Sequence, residues 1–370
     1  MEEEKKYSTI HYQNYLGLDK ILDAQKLRSA ALDEEPAHEE MLFIIVHQAY
    51  ELWFKQIIHE LQSVLKMFQT NDVDERNIGT AIGRLERTRD ILKLLVQQIG
   101  IMETMTPLDF LDFRNHLFPA SGFQSYQFRM IENILGLKEE GRMTYNGCPY
   151  FSVFDESKQK SLREISDSET LFDSIQSWLE RTPFLKTRSF KFLDAYKDAV
   201  KRMLDREREA IKKSEYLDAS ETEMRLQMLG NTDTYFQSVF QKSEHVKLQH
   251  EGKIRLSYEA TLAALFINLY RDEPILHLPF RLLTCFIEID AELTNWRYRH
   301  AQMVQRMLGN KIGTGGSSGH SYLLSTAVKH PIFKDLHNIS TLLIPRSELP
   351  DLPKELTKEL GYHYTHLHRW

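Results

Sequence analysis

The segment Met41-Leu42-Phe43-Ile44-Ile45-Val46-His47 constrains this chain more than any other. It lies within residues 37–70, whose spacing predicts one long helix. A helix that is apolar nearly all round buries every side, so this one predicts the centre of a helical bundle. Composition points the same way. The 370 residues include 16 Gly and 11 Pro, against roughly 26 and 18 for average usage. Leu, Glu, Lys, Gln and Met are abundant, and all are good helix formers. Alternating β-branched runs, the mark of strands, are hard to find. The expected fold class is therefore all-α, with residues 1–370 as a single domain. Further helices are predicted over 16–30, 74–100, 106–117, 123–137, 256–270 and 279–308. Residues 140–165 read as irregular. Residues 166–255 read as a charged helical excursion at the periphery, with thin apolar stripes.

Several function classes are excluded. The net charge is -6 with both signs interspersed, an ordinary polar surface. There is no basic stripe for nucleic acid. Apolar runs such as Met41 to Val46 and Ala263 to Ile267 fall far short of the ~18 residues that span a bilayer. Met1-Glu2-Glu3-Glu4-Lys5-Lys6 opens the chain without an apolar signal region. Cys148 and Cys285 make neither a disulfide framework nor a zinc signature. A reducing, cytoplasmic location without membrane contact is the expectation.

Four places can carry chemistry. His47 has Phe43 at i-4 and Tyr50 at i+3. His300 follows Trp296-Arg297-Tyr298-Arg299 and precedes Met303 and Met307. A buried imidazole beside aromatic rings on a helix suits an axial haem ligand. The same pattern fits a hydrogen-bonded core histidine, and spacing alone does not choose. Arg114 follows Asp109-Phe110-Leu111-Asp112-Phe113. It can grip a ligand carboxylate bidentately, or pair with Asp109 or Asp112. Gly313-Thr314-Gly315-Gly316-Ser317-Ser318-Gly319 is no P-loop, because no Lys follows and a helix precedes it. It reads as a lid offering Thr314 and backbone N–H groups, or as a plain surface loop. His363, His366 and His368 read as part of a polar tail.

Taken together, these places resemble the tryptophan 2,3-dioxygenase family. The matching segments are Phe43 to Lys55, Glu103 to Phe110 and Pro119 to Ser125, with Trp296-Arg297-Tyr298, His300 and the Gly313 to Gly319 loop. The resemblance covers Tyr12 to about Pro345 and is weakest over 140–255. It implies a helical bundle enclosing a pocket for haem b (iron protoporphyrin IX) in a four-helix core. It implies a homotetramer that inserts both atoms of O2 across the indole C2–C3 bond of L-tryptophan. The product would be N-formylkynurenine, the first step of the kynurenine pathway. His300 would be the proximal iron ligand, and His47 would sit on the distal side near the indole N–H. Arg114 would hold the substrate carboxylate, and Thr314 its polar head group. Phe43, Phe110 and Tyr12 would wall the indole pocket. Tyr15 and Leu16 would close it from a neighbouring subunit. Trp296, Tyr322, Ser121 and Gly122 would line the haem.

Three rivals remain at this stage. A haem sensor would keep His300 but would not need Arg114 and Thr314. A helical scaffold fits the composition but not this order of His, Phe and Arg. A dioxygenase of another indole, such as tryptamine, would not need the carboxylate clamp. Tyr126, Arg299, His320 and Ser321 depart from the residues expected in most animal relatives. The charge of Arg299, next to the ligand position, is expected to tune a haem potential slightly.

Overall fold

The computed structural model describes residues 9–32, 35–70, 73–143, 149–187, 190–309, 311 and 320–361. The chain enters through three short helices, α1 (Tyr12–Leu16), α2 (Leu18–Leu22) and α3 (Ser29–Leu32). The first long helices follow, α4 (Glu40–Phe68) and α5 (Glu75–Met102). Asp74 caps α5, accepting from the Arg76 N–H. Next comes α6 (Pro107–Arg114), started by Pro107 and by a capping box between Thr106 and Asp109. Ser125 caps α7 (Tyr126–Leu135), which ends at Gly136 with φ 111°. Only glycine suits that position, because a Cβ there would lie 2.7 Å from Phe172 Cβ.

The middle of the chain forms α8 (Glu156–Asp167), α9 (Leu171–Glu180), α10 (Phe192–Lys212), α11 (Ala219–Phe240) and α12 (Lys242–His250). The remainder is α13 (Tyr258–Leu269), α14 (Pro274–Leu308), α15 (His320–Lys329), α16 (Lys334–Asn338) and α17 (Lys354–Leu360). Among the described residues there is no strand, only a single bridge between Lys186 and Lys191. The all-α expectation holds. In the bundle, α14 packs against α5 and α15, and α4 packs against α5 and α7. One continuous apolar core runs from Val46 on α4 to Leu360 on α17.

Three expectations need correction. Residues 166–255 are not wholly peripheral. Phe172, Ile175, Leu179, Phe192, Tyr196 and Val200 are buried in the main core, and α9 packs on α13 and α4. Charged and apolar residues are about equally numerous there, and the apolar residues of α9 and α10 gather on one face of each helix. Secondly, residues 140–165 are not all irregular. Asp155 caps α8 by accepting from the Lys158 N–H. Leu162 is the one buried residue of that helix, so its apolar stripe is thin and easily read as loop. Thirdly, α4 is not buried on every side. Ile45, Leu52 and Trp53 are exposed in the single chain, and Leu52 and Trp53 border a shallow groove with Leu94 of α5. Helix α14 also begins five residues before Pro279. That proline suggests a start, but it lies inside the helix, and Pro274 occupies the first turn.

Candidate functional site

The cavity of interest has a volume of about 280 Å³. Its walls come from α4, α6, the turn at 121–125, α7, α14 and α15. The 3.6-residue period puts Phe43, Val46, His47, Tyr50 and Phe54 of α4 on one face, and all five line it. Trp296, His300, Met303 and Met307 do the same from α14. Contact of the Tyr50 and Trp296 rings, 6.1 Å between centroids, joins the two helices.

His47 is held in one tautomer. Its Nδ1 lies 2.7 Å from the carbonyl oxygen of Phe43. A carbonyl only accepts, so Nδ1 carries the hydrogen and Nε2 keeps its lone pair. Protein atoms crowd the ring, although the residue is exposed through the cavity that it lines. Burial lowers its pKa, against the smaller opposing pull of the Phe43 carbonyl and Glu51. His47 is thus a neutral imidazole whose remaining function is to accept a hydrogen bond. Phe43 stacks against it at 4.1 Å and against Phe110 at 5.9 Å. These rings make an apolar slot beside the acceptor.

His300 opens onto the same cavity. Its ring is parallel to Trp296, with centroids 5.1 Å apart and 4° between planes. Burial, and secondly the proximity of His47, lower its pKa to about 4. A neutral imidazole with no hydrogen-bond partner among the described residues is a donor awaiting a Lewis acid. Among the described residues no three His, Cys, Asp or Glu side chains cluster as a metal site. Two imidazoles from different helices cannot hold an ion alone. A single imidazole such as that of His300 suits a metal whose other ligands come from a flat macrocycle. The apolar walls suit such a group too. A Cβ built on Gly122, at the cavity edge, meets no protein atom within 4 Å, so this edge is open to a large flat occupant. The residues present therefore fit a haem.

One end of the cavity is strongly charged, which the sequence reading missed. Glu132 of α7 lies fully inside the protein. It pairs with Arg142 at 2.5 Å, Arg129 at 2.8 Å and Arg297 at 2.8 Å, and His330 Nδ1 lies 4.0 Å away. Burial opposes ionisation, but the three guanidinium groups together win, and the carboxyl stays well below its usual range. His330 accepts from the Met143 N–H at 3.0 Å, and burial lowers its pKa to about 4. Arg129 and Glu132 show only an i, i+3 spacing, and His330 stands alone, so no local pattern marks them.

Phe43, His47, Phe110, Ser121, Gly122, Trp296, His300 and Tyr322 all line this one cavity. Arg114 stands one helical turn beyond Phe110, on the same face of α6, and is not among the residues that line the cavity. Tyr12, Tyr15 and Leu16 are not brought in. They are 71%, 72% and 40% exposed, on an arm outside their own cavity. Thr314 and the glycine-rich loop lie outside the described residues. Arg299 donates to Glu103 at 2.9 Å. That partner compensates its charge and weakens the expected influence on the cavity.

Comparison with known proteins gives the family. The family model for tryptophan 2,3-dioxygenase matches residues 2–343. A tryptophan 2,3-dioxygenase of Bdellovibrio bacteriovorus is 50% identical over 359 residues, covering 97% of this chain and 100% of that protein. One from Dictyostelium discoideum is 45% identical, over 95% of this chain and 88% of its own. One from Xenopus laevis is 45% identical, over 94% and 86%. The chain belongs to the tryptophan 2,3-dioxygenase family.

Proposed function

We propose that this chain is a haem b dioxygenase that opens the indole ring of L-tryptophan to give N-formylkynurenine. The observation that carries the reading is the shared cavity of His47 and His300, with Phe43 and Phe110 forming an aromatic slot beside His47. Haem, when bound, supplies the activation of O2 that no side chain offers. The rest falls to the protein. His300, steadied by its stack on Trp296, would hold the haem iron. Phe43 and Phe110, stacked on each other, wall one side of the indole pocket and exclude water. His47 Nε2 accepts the indole N–H. Both oxygen atoms enter the product, at the former C2 and C3, and no other reductant is consumed. The product keeps its N–H, so His47 has only to hold the ring, and a neutral imidazole is sufficient.

Arg114 reads the carboxylate, and Thr314 completes the head-group contacts. Ser121, Gly122 and Tyr322 border the haem. The continuous core supports reading residues 1–370 as one domain. The exposed apolar residues Ile45, Leu52, Trp53 and Leu94 support self-association, and we take the assembly to be the homotetramer that the family resemblance implies. Tyr12, Tyr15 and Leu16, turned away from their own cavity, would close a neighbour's. Among the described residues no helix is long and apolar enough to cross a membrane. A cytoplasmic location is part of the same proposal.

The test is an optical spectrum of purified protein, oxidised and reduced, with and without L-tryptophan, followed by assay for N-formylkynurenine. A Soret band that shifts on adding L-tryptophan is expected. No Soret band after growth with added haem precursor would overturn the reading. Arg114→Met is expected to raise KM for L-tryptophan about a hundredfold, the cost of losing a charge-assisted pair. Tryptamine, which lacks the carboxylate, should be turned over equally by both proteins. Unchanged kinetics with L-tryptophan would remove Arg114 from the substrate site.

A further inference from the structure

Two clasps fasten the root of the N-terminal arm to α4. In the first, both oxygens of Glu40 are used. Oε1 accepts from the Arg28 N–H at 2.8 Å. Oε2 accepts from the Ser29 N–H at 2.9 Å and from the Ser29 hydroxyl at 2.5 Å. Ser29 Oγ in turn accepts from the Ala37 N–H at 3.0 Å. In the second clasp, Gln48 Nε2 donates to the Ala24 carbonyl at 3.3 Å, and Gln48 Oε1 accepts from Gln25 Nε2 at 2.5 Å.

The first clasp is an unusual investment for a surface segment. Glu40 and Ser29 are 2% and 0% exposed. Burying a carboxylate is costly unless every oxygen is satisfied. Here burial pushes the Glu40 carboxyl up, but the bonds from Ser29 and Arg28, with His116 nearby, bring it below its usual value. Beyond the clasps the arm has no such support. Neither α1 nor α2 contains a buried residue. Its direction is therefore set at its root. The clasp residues Glu40 and Gln48 bracket Phe43 and His47 on the same helix, so arm and cavity wall share one rigid element.

We propose that Glu40 and Gln48 are positioning residues that aim the N-terminal arm from α4, so that Tyr12 and Tyr15 reach a neighbouring subunit's cavity in a fixed pose. The proposal rests on the cross-subunit reading above. Glu40→Gln tests the first clasp without changing shape, because its amide nitrogen must face donors. Gln48→Met breaks the second clasp at similar volume.

The experiment uses the haem-loaded full-length protein, its two clasp variants, a chain lacking residues 1–20, and that shortened chain carrying Glu40→Gln. KM and kcat for L-tryptophan, the Soret absorbance per protein, and the rate of tryptic cleavage at Lys26 are measured. Glu40→Gln should raise KM about tenfold, the worth of one hydrogen bond to a charged group, and Gln48→Met about fivefold, the worth of a neutral one. For each variant kcat and Soret absorbance should stay within twofold of the parent protein, and cleavage at Lys26 should accelerate. The shortened chain should raise KM at least as far, and Glu40→Gln should then add nothing. If the shortened chain raises KM but the clasp variants do not, the clasps do not aim the arm and the proposal falls while the cross-subunit reading stands. If the shortened chain keeps the parent KM, that reading falls and takes the proposal with it. If Glu40→Gln raises KM equally in the shortened chain, its role is local packing and the proposal is overturned. Should Glu40→Gln fail to fold, Gln48→Met, on a half-buried side chain, decides by the same criteria.

Discussion

His300→Ala is expected to abolish both the Soret band and product formation, while leaving the folded helical chain intact. The side chain opens onto a cavity rather than packing into the core, and no hydrogen bond of the described residues depends on it. Removing it costs the stack on Trp296, worth about 1 kcal/mol. A helical far-ultraviolet spectrum and a cooperative melt should therefore survive. Haem affinity should fall by more than the ~100-fold typical of losing an outer-sphere partner, because a direct ligand is gone. Imidazole added at millimolar concentration should restore part of the Soret band by entering the vacated space. A variant that keeps haem with an unchanged spectrum would remove His300 from the iron.

His47→Ala is the matched comparison. It should keep the haem and lose substrate order, since its bonding pattern is that of an acceptor beside an aromatic slot. The two histidines look alike in sequence, each on an apolar helix among aromatic residues. The structure separates them by their bonds. His47 has one nitrogen committed to the Phe43 carbonyl, and His300 has neither nitrogen committed.

Much of this was legible in the sequence because the informative elements are long and periodic. Helices α4, α5 and α14 carry apolar stripes over 29, 28 and 35 residues, which no short-range signal can overrule. The cavity wall was legible for the same reason, since Phe43 with His47, and Trp296 with His300, are i, i+4 pairs on those helices. What was not legible depends on distant contacts. Helix α8 is held by Leu162, clustered with Phe151 and Phe154, and by Ile165 against the main core. Residues of α9 and α10 enter the core through one face each, and only the folded chain shows that these faces meet α13 and α4. The all-round apolarity of α4 was misread as complete burial within one chain, yet Ile45, Leu52 and Trp53 are exposed. Helical periodicity reports that a face is apolar, and it cannot say whether the cover comes from the same chain or another. The Glu132 cluster gathers side chains from positions 129 to 330, a juxtaposition that only folding creates.

That cluster predicts the second large effect. Glu132→Gln keeps the shape of the side chain but leaves Arg129, Arg142 and Arg297 facing one another without a counter-charge. Removing one partner of a buried ion cluster costs about 3–5 kcal/mol, and chemical denaturation at pH 7 should show a loss of that size. The pH dependence fixes the origin. The folded carboxyl titrates well below its usual range. Its stabilisation is therefore complete above the unfolded value near 4.3 and is lost as pH falls from there toward the folded value. The stability gap between parent and variant should be flat from pH 7 to about pH 5 and should narrow below pH 4. His330 opposes this change, because burial holds its pKa to about 4 in the parent and losing Glu132 lowers it further, which widens the gap below pH 4; both chains are therefore compared with His330→Gln in place. A gap that stays constant into the acid range would mean that Glu132 acts through shape and hydrogen bonding alone. A narrowing gap would identify its charge as what binds α7 to α14, and hence as what holds the wall bearing His300 against the rest of the cavity.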